Sequence, residues 1–219
     1  MHPPEYNLTN YSAYLFDMDG TLVDSERLKG KALSETCKLF GGVADINIYK
    51  TVMGEKWEIV TSHFFRIAKI SLDFEDFNTN FKVIYQDLLR KELKTNPNAI
   101  ELLKHLKTKG KKLGLVSSAS EWMVNHVLKQ LKLSHFFDIV ICKEQISKHK
   151  PDPEPYLLAL KELGLPSSEV LIFEDSNAGL LAARKANCDA VAFRHEFNTN
   201  NDLSLSIKII SDYNEMLIQ

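Results

Sequence analysis

The chain has 219 residues, 44% of them hydrophobic and 26% charged, which is typical of an ordinary globular protein. Its 27 Lys and Arg residues against 29 Asp and Glu residues give a net charge of −2, so no basic excess points to nucleic acid as a partner. No apolar stretch approaches the ~18 residues that span a bilayer, and the N-terminus lacks the apolar core of a signal peptide. We therefore expect a cytoplasmic protein without membrane contact.

The cysteines and histidines show neither a disulfide pattern nor a zinc pattern. Cys37, Cys142 and Cys188 lie far apart and form no CxxC pair, so we expect reduced thiols. The seven histidines include no HExxH or similar spacing, which argues against a zinc site.

The first predicted element is a short buried strand, Ala13–Phe16, and a long helical stretch follows it. The stretch 25–95 has no convincing strand, and its apolar residues recur every three or four positions, as in amphipathic helices. These stripes are Leu28, Ala32 and Leu39; Trp57, Val60, Phe64 and Ile67; and Phe77, Phe81, Ile84 and Leu88. We predict that residues 25–95 form an inserted helical domain and that residues 1–24 and 96–219 form the core domain.

The rest of the chain alternates helices with short apolar runs. Helices are predicted at Asn98–Lys109 and Pro155–Leu163, each followed by a glycine that ends it. Short apolar runs without alternation indicate strands that are buried on both faces of a parallel sheet. The later runs are Leu113–Val116, Ile139–Ile141, Val170–Phe173, Ala190–Phe193 and Ile207–Ile210. The predicted fold is a doubly wound parallel α/β sheet with an inserted helical domain.

An acidic turn, Asp17-Met18-Asp19-Gly20-Thr21, directly follows the first strand. Aspartate and glycine are common in ordinary turns and in calcium loops. A calcium loop of the EF-hand type needs a glutamate at its twelfth position, which here is Leu28, so that interpretation fails. An ordinary turn remains an alternative on this stretch alone.

Polar residues also follow other predicted strands: Ser117 and Ser118 after the second, and Glu174 and Asp175 after the fourth. Lys150 precedes a Pro-x-Pro turn between them. Parallel strands bring these groups to one edge of the sheet. Crowded carboxylates repel one another unless a cation joins them, and an all-oxygen site suits Mg²⁺, which also binds substrate phosphate. A hydroxyl and an ammonium group beside that metal suit phosphoryl transfer, in which an aspartate can be the nucleophile.

The four stretches FDMDGT, the strand that ends in Ser117, Lys150 before proline, and FEDS resemble the four motifs of the haloacid dehalogenase (HAD) superfamily. The resemblance covers essentially the whole chain, because the helical insert is similar to that family's helical cap. It implies a Rossmann-like core, a small α-helical cap and Mg²⁺ as cofactor. Within the superfamily, the chain looks like the β-phosphoglucomutase and sugar-phosphatase subgroup.

The resemblance implies a role for each matching position. Asp17 would be the nucleophile and Asp19 the general acid and base. The metal would be held by Asp17, the backbone carbonyl of Asp19, and Asp175, with Glu174 as a second ligand or an outer-shell acceptor. Ser117 and Lys150 would hold the phosphoryl oxygens. An acid/base aspartate at position 19 favours cleavage of a phosphate ester over a carbon–halogen bond.

The cap and the loops beside it are expected to choose the substrate. The proposed substrate-binding residues are Lys29, Gly54, Lys56, Ser118 and Asn177, and Glu55 and Trp57 are further candidates from the same cap loop. Internal packing of Trp57 and simple solvation of Lys56 remain alternatives.

The predicted activity is hydrolysis of a small phosphorylated metabolite, such as a sugar phosphate, through an aspartyl-phosphate. A β-phosphoglucomutase-like activity is the alternative. Against it, Lys29 stands where those mutases carry a histidine, Trp57 replaces an expected arginine, and Glu121 adds negative charge after the second motif. A non-catalytic binding protein on the same fold is a further alternative. A monomer suits a moving cap, and we expect one.

Overall fold

The computed structural model describes residues 11–217 and contains one six-stranded sheet in which every pair of neighbouring strands is parallel. The spatial order is β3-β2-β1-β4-β5-β6, so the chain winds outward in both directions from the centre. The strands are β1 (Ala13–Phe16), β2 (Lys112–Val116), β3 (Ile139–Ile141), β4 (Val170–Glu174), β5 (Asp189–Phe193) and β6 (Lys208–Ile210). The predicted doubly wound sheet is confirmed, and each predicted strand is found to within one residue at either end.

Seven α-helices accompany the sheet in the described part of the chain. They are α1 (Glu26–Leu39), α2 (Trp57–Ala68), α3 (Phe74–Glu92), α4 (Ala99–Thr108), α5 (Glu121–Gln130), α6 (Glu154–Leu163) and α7 (Asn177–Lys185). The predictions for α4 and α6 are confirmed to within one residue at each end. Gly110 and Gly164 follow these helices with φ angles of 70° and 65°, the left-handed conformation that ends a helix at little cost for glycine.

Successive residues of β1 point to opposite faces of the sheet, and each face has its own buried layer. Ala13 and Leu15 pack with side chains of α6 and α7. Tyr14 and Phe16 pack with side chains of α4 and α5, and Phe16 stacks on Phe173 with ring centroids 4.8 Å apart. Both faces of the central strand are therefore dry, which explains why its sequence shows no alternation of apolar and polar residues.

The helices α1, α2 and α3 lie between β1 and β2 in the chain, and α1 packs against the other two. Most of the predicted apolar stripe residues are buried or half-buried, but Leu39 is 60% exposed and Ile67 is 40% exposed. These two residues continue the apolar spacing of their helices but do not lie on the buried side. Both lie in the last turn of their helices, where the 3.6-residue pattern continues past the surface that the neighbouring helices cover.

Two chain segments connect these helices to the sheet, and they run side by side in opposite directions. The backbone N–H of Asp24 donates to Lys94 O at 3.0 Å, and that of Asn96 donates to Leu22 O at 3.0 Å. The predicted domain boundaries, at 24/25 and 95/96, fall within this paired segment. The division into a core domain and a cap domain stays a prediction, because one cluster of buried apolar side chains runs from the sheet into the helices.

Two predictions from composition can be compared with the described residues. Cys37, Cys142 and Cys188 are all buried free thiols, as expected. No helix within residues 11–217 has the length and apolar character that crossing a membrane would require.

Candidate active site

The acidic turn begins at the carboxyl end of β1, in the centre of the sheet. The backbone N–H of Asp17 still donates to Phe173 O of the adjacent strand, at 2.9 Å. The chain then turns at Gly20, where φ is +78° and a Cβ atom would lie 2.2 Å from Asp175 Oδ2. Only glycine fits there, because both the backbone angle and the space exclude a side chain. Met18 is fully buried and does not line the cleft, so the residue between the two aspartates points away from it.

Lys150 forms hydrogen bonds with the first motif, FDMDGT, and with the fourth, FEDS. Its Nζ lies 2.7 Å from Asp17 Oδ1, 2.7 Å from Glu174 Oε1 and 3.0 Å from the carbonyl oxygen of Val116. Burial raises the pKa of Asp17 well above its ordinary value, and the positive charge of Lys150 opposes that rise. Burial alone would lower the pKa of Lys150, but Asp17 and Glu174 beside it raise the pKa instead. The lysine therefore stays charged and fixes one oxygen of Asp17.

Glu174 is fully buried beneath the cleft, and both of its oxygens have partners. Oε1 accepts hydrogen bonds from Lys150 and from the hydroxyl of Tyr156, the latter at 2.6 Å. Oε2 accepts from the hydroxyl of Ser176 and from the backbone N–H of Asp175, both at 3.1 Å. This arrangement places Glu174 behind Lys150 and Asp175, and it leaves little of the carboxylate free for a metal.

Asp175 faces the cleft. Thr21 Oγ1 donates to Asp175 Oδ1 at 3.3 Å, and His195 Nε2 lies 2.9 Å from Oδ2. Burial raises the pKa of Asp175 to about 6, although the hydrogen bond from His195 opposes the rise. One oxygen each of Asp17, Glu174 and Asp175 lie within 4.8 Å of one another. Because the oxygens of Glu174 already accept hydrogen bonds, Asp17 and Asp175 are the members of this cluster that line the cleft and fit a divalent cation with oxygen ligands.

Asp19 lies at the boundary between the sheet and the first helix. Its Oδ1 accepts a hydrogen bond from the Ser25 hydroxyl at 2.6 Å. Burial raises the pKa of Asp19, and the charge of Lys29 opposes the rise. A carboxyl group with a raised pKa can carry a proton nearer to neutral pH, as a general acid must.

A cleft of about 750 Å³ opens over these groups, between the carboxyl edge of the sheet and the helices α1–α3. From the sheet side it is lined by Asp17, Asp19, Ser117, Ser118, Lys150 and Asp175, and from the helical side by Glu26, Lys29, Tyr49, Gly54, Glu55, Trp57 and Tyr85. The structure thus brings together all the predicted catalytic residues, as well as Lys29, Gly54 and Ser118. Trp57 lines the cleft and also packs on Phe81, with ring centroids 4.6 Å apart, and its indole N–H donates to Asn78 Oδ1 at 2.6 Å.

Two predicted substrate-binding residues do not line this cleft. Lys56 is exposed and directly precedes α2. Asn177 opens α7, as predicted, but its side-chain amide donates to the carbonyl oxygen of Asp202 at 3.1 Å. Neither side chain is among the cleft-lining groups.

Several residues that support the site were not predicted from the sequence. Glu26 is buried, accepts a hydrogen bond from the Tyr49 hydroxyl at 2.5 Å and pairs with Lys29. Burial by itself would lower the pKa of Lys29, but Glu26 and, to a smaller extent, Tyr49, Tyr85 and Asp19 together raise it. The i, i+3 spacing of Glu26 and Lys29 on one helix was a readable signal for this pair. His195 also had a signal, since it lies just after the predicted fifth strand, at the same edge as the other site residues.

Comparison with known proteins identifies the class. Residues 14–193 match the family model of the haloacid dehalogenase-like hydrolases. The chain therefore belongs to this family, and the resemblance inferred from the four motifs is confirmed.

The individual relatives include two named phosphatases. The chain is 32% identical over 183 residues to the phosphorylated carbohydrates phosphatase of Thermotoga maritima, covering 82% of this chain and 83% of that protein. It is 29% identical to the fructose-1-phosphate phosphatase of Escherichia coli, covering 84% of this chain and 97% of that protein. Among solved structures, a candidate β-phosphoglucomutase from Thermotoga maritima has 27% identity and a TM-score of 0.82, covering 94% of this chain and 97% of the other.

Proposed function

We propose that the protein is a Mg²⁺-dependent phosphatase that hydrolyses a small phosphorylated metabolite, a sugar phosphate or a similar phosphomonoester. The observation that carries this proposal is the position of Asp17 in the cleft. It is held by Lys150 and lies beside a second carboxylate, Asp19, which has a raised pKa. Relatives named as phosphatases of phosphorylated carbohydrates support the same class of substrate.

The proposed reaction has two steps. Lys150 holds Oδ1 of Asp17, so the other carboxylate oxygen attacks phosphorus and forms an aspartyl-phosphate as the ester oxygen leaves. Asp19 gives its proton to that leaving oxygen. It then takes a proton from the water that attacks the aspartyl-phosphate, which releases phosphate and restores both aspartates. Ser117, Ser118 and Lys150 line the same end of the cleft and would hold the phosphoryl oxygens.

The metal would be held by Asp17, the backbone carbonyl of Asp19, and Asp175. We assign Glu174 to the layer behind them, because Lys150, Tyr156 and Ser176 already occupy its oxygens. When bound, Mg²⁺ would neutralise charge on the transferred phosphoryl group and orient it.

The helical side of the cleft supports an uncharged, hydroxyl-bearing leaving group. Lys29 pairs with Glu26, which also accepts a hydrogen bond from the Tyr49 hydroxyl, and Tyr49 and Tyr85 are among the residues that line this side of the cleft. The Lys29–Glu26 pair offers a donor and an acceptor to sugar hydroxyls without a net charge of its own. A volume of about 750 Å³ suits a small ligand. We assign substrate contacts here to Lys29 and Gly54, and we leave Lys56 and Asn177 out of the proposed set.

Two lysines that line the cleft support a phosphomutase as a second candidate function. Lys82 and Lys143 are exposed lysines that line the cleft, and together they would suit a second phosphate. The structural similarity to a candidate β-phosphoglucomutase points the same way.

We further propose that residues 25–95 act as a cap that closes over the substrate, and that the protein works as a monomer in the cytoplasm. The paired segments at Leu22–Asp24 and Lys94–Asn96 would be the hinge. Buried free thiols suit a reducing compartment.

One experiment separates these functions. Phosphate release would be measured over a panel of phosphometabolites with Mg²⁺, including a hexose 1-phosphate with its bisphosphate, which is also followed for isomerisation. We expect hydrolysis of a monophosphate, and loss of that turnover in Asp17→Asn. Isomerisation without net phosphate release would establish the mutase instead, and a folded protein inactive at every pH would overturn the proposal that it is an enzyme.

A further inference from the structure

We propose that His195 is a positioning residue for Asp175, holding that carboxylate in the orientation in which it binds the divalent cation. This inference rests on the metal site of the proposed function and assigns a role to a residue outside the four family motifs. His195 does not line the cleft, so it acts through Asp175 and not on the substrate.

The hydrogen bonds around the imidazole define which nitrogen carries the proton. The backbone N–H of Phe197 donates to His195 Nδ1 at 3.2 Å, so Nδ1 is the acceptor. The proton is therefore on Nε2, which lies 2.9 Å from Asp175 Oδ2 and donates to it. A neutral imidazole in this tautomer satisfies both of its nitrogens and presents one fixed donor to the carboxylate.

The loop that carries His195 is fastened to the same residue by a second connection. The side-chain amide of Asn198 donates to the carbonyl oxygens of Asp175 and Phe193, each at 2.8 Å. Its oxygen accepts from the backbone N–H of His195 at 2.9 Å. Asn198 thus ties the end of β5 to the end of β4 and sets the position of the histidine relative to Asp175.

The surroundings leave Asp175 little freedom once this bond is made. Thr21 donates to the other carboxylate oxygen, and the position of a Cβ on Gly20 would lie only 3.0 Å from His195 Nε2. The side chain of Asp175 is 4% exposed and that of His195 is 12% exposed, so water has little access to replace the bond. Groups that orient a metal ligand in this way commonly change metal affinity ~10–100-fold when they are removed.

Two amide substitutions distinguish a positioning role from general packing. In His195→Gln the terminal NH₂ can reach the place of Nε2 and still donate to Asp175. In His195→Asn the shorter side chain reaches only the place of Nδ1. His126→Asn, at an exposed histidine on α5, is the matched surface control.

Metal affinity would be measured directly on protein freed of metal with EDTA, by calorimetric titration with Mg²⁺ and by electron paramagnetic resonance with Mn²⁺. We expect the Kd of His195→Asn to rise ~10–100-fold and that of His195→Gln and His126→Asn to stay close to wild type. In turnover, saturating Mg²⁺ should restore most of kcat in His195→Asn, while the Mg²⁺ concentration for half-maximal activity rises.

The outcomes separate this inference from the proposed function. Wild-type affinity in His195→Asn would overturn the role of His195 and leave the metal site standing. Equal losses in the Gln and Asn variants would show that the donor to Asp175 is not what matters, and would also overturn it. A wild-type protein that binds neither cation would overturn the metal site and this inference together.

Discussion

Lys150 is the counter-charge of two buried carboxylates, and replacing it with methionine should make the stability of the protein strongly dependent on pH. Methionine keeps much of the apolar length of the side chain and removes only the ammonium group. The group it removes lies 2.7 Å from both Asp17 and Glu174, and its side chain is only 7% exposed. Breaking a buried ion pair by removing one partner costs about 3–5 kcal/mol, because the remaining charge stays buried without compensation.

The sign of the pH dependence follows from the pKa shifts. Burial already raises the pKa of Asp17 above its unfolded value, and Lys150 is the main group that opposes the rise. In Lys150→Met the folded-state pKa rises further, so the native state binds more protons than the unfolded state above about pH 4. The free energy of unfolding should then fall as pH rises from that value toward the raised pKa.

Urea denaturation in EDTA at pH 5 and pH 8 measures this effect. We expect Lys150→Met to lose about 3–5 kcal/mol at pH 8 and clearly less at pH 5, where protonation neutralises part of the carboxylate cluster. Lys148→Met, at an exposed lysine two residues away, should match the wild type at both values. If Lys150→Met is as stable as wild type at pH 8, or loses the same free energy at both pH values, the lysine is not the counter-charge inferred here.

Three further substitutions test separate parts of the site. Gly179→Ala should lower the free energy of unfolding in urea by about 1–3 kcal/mol, since its Cβ would lie 1.9 Å from the carboxyl carbon of Glu174; unchanged stability would contradict this packing. Asn96→Ala should cost about 1–3 kcal/mol in the same assay, because its amide donates at 2.7 and 2.6 Å to two carbonyl oxygens of the catalytic loop. Lys29→Ala should lower kcat/KM on the best substrate while Lys56→Ala leaves it unchanged, and equal values for both variants would remove Lys29 from the proposed substrate contacts.

The fold was predictable largely because the four central strands, β1, β2, β4 and β5, are buried on both faces over at least four consecutive residues. A run such as Leu113–Val116 contains no polar residue. Its short length and the turn residues around it therefore identify it as a buried strand. The helical segment was predictable only in outline. Leu39 continues the apolar spacing of α1 but is exposed, because spacing reports which residues share a face and not where the neighbouring helix ends.

Asp17, Asp19 and Ser117 were predictable as candidate site residues because they follow strands, whereas Lys150 precedes a Pro-x-Pro turn and took its role from the family resemblance. The supporting groups were missed because they depend on tertiary contacts. Nothing local in the sequence indicates that Tyr156, on α6, places its hydroxyl on Glu174. His195 was a different case, because it follows a predicted strand but belongs to none of the four stretches that resemble the family motifs. The carboxyl ends of parallel strands meet at one edge of the sheet, and this rule applied to β5 places His195 at the same edge as the other site residues.

The charges of the site give a further reason to expect a divalent cation. Asp17, Asp19, Glu26, Glu174 and Asp175 share this region with the ammonium groups of Lys29 and Lys150, so the fully ionised site would carry an excess of negative charge. The raised pKa values of Asp17, Asp19 and Asp175 reflect that excess together with burial. A substrate phosphate adds more negative charge and would be repelled by the same groups. Proton uptake by Asp19 and binding of Mg²⁺ would together remove the excess, so in the proposed mechanism the protonated form of Asp19 would also be the form that admits the substrate.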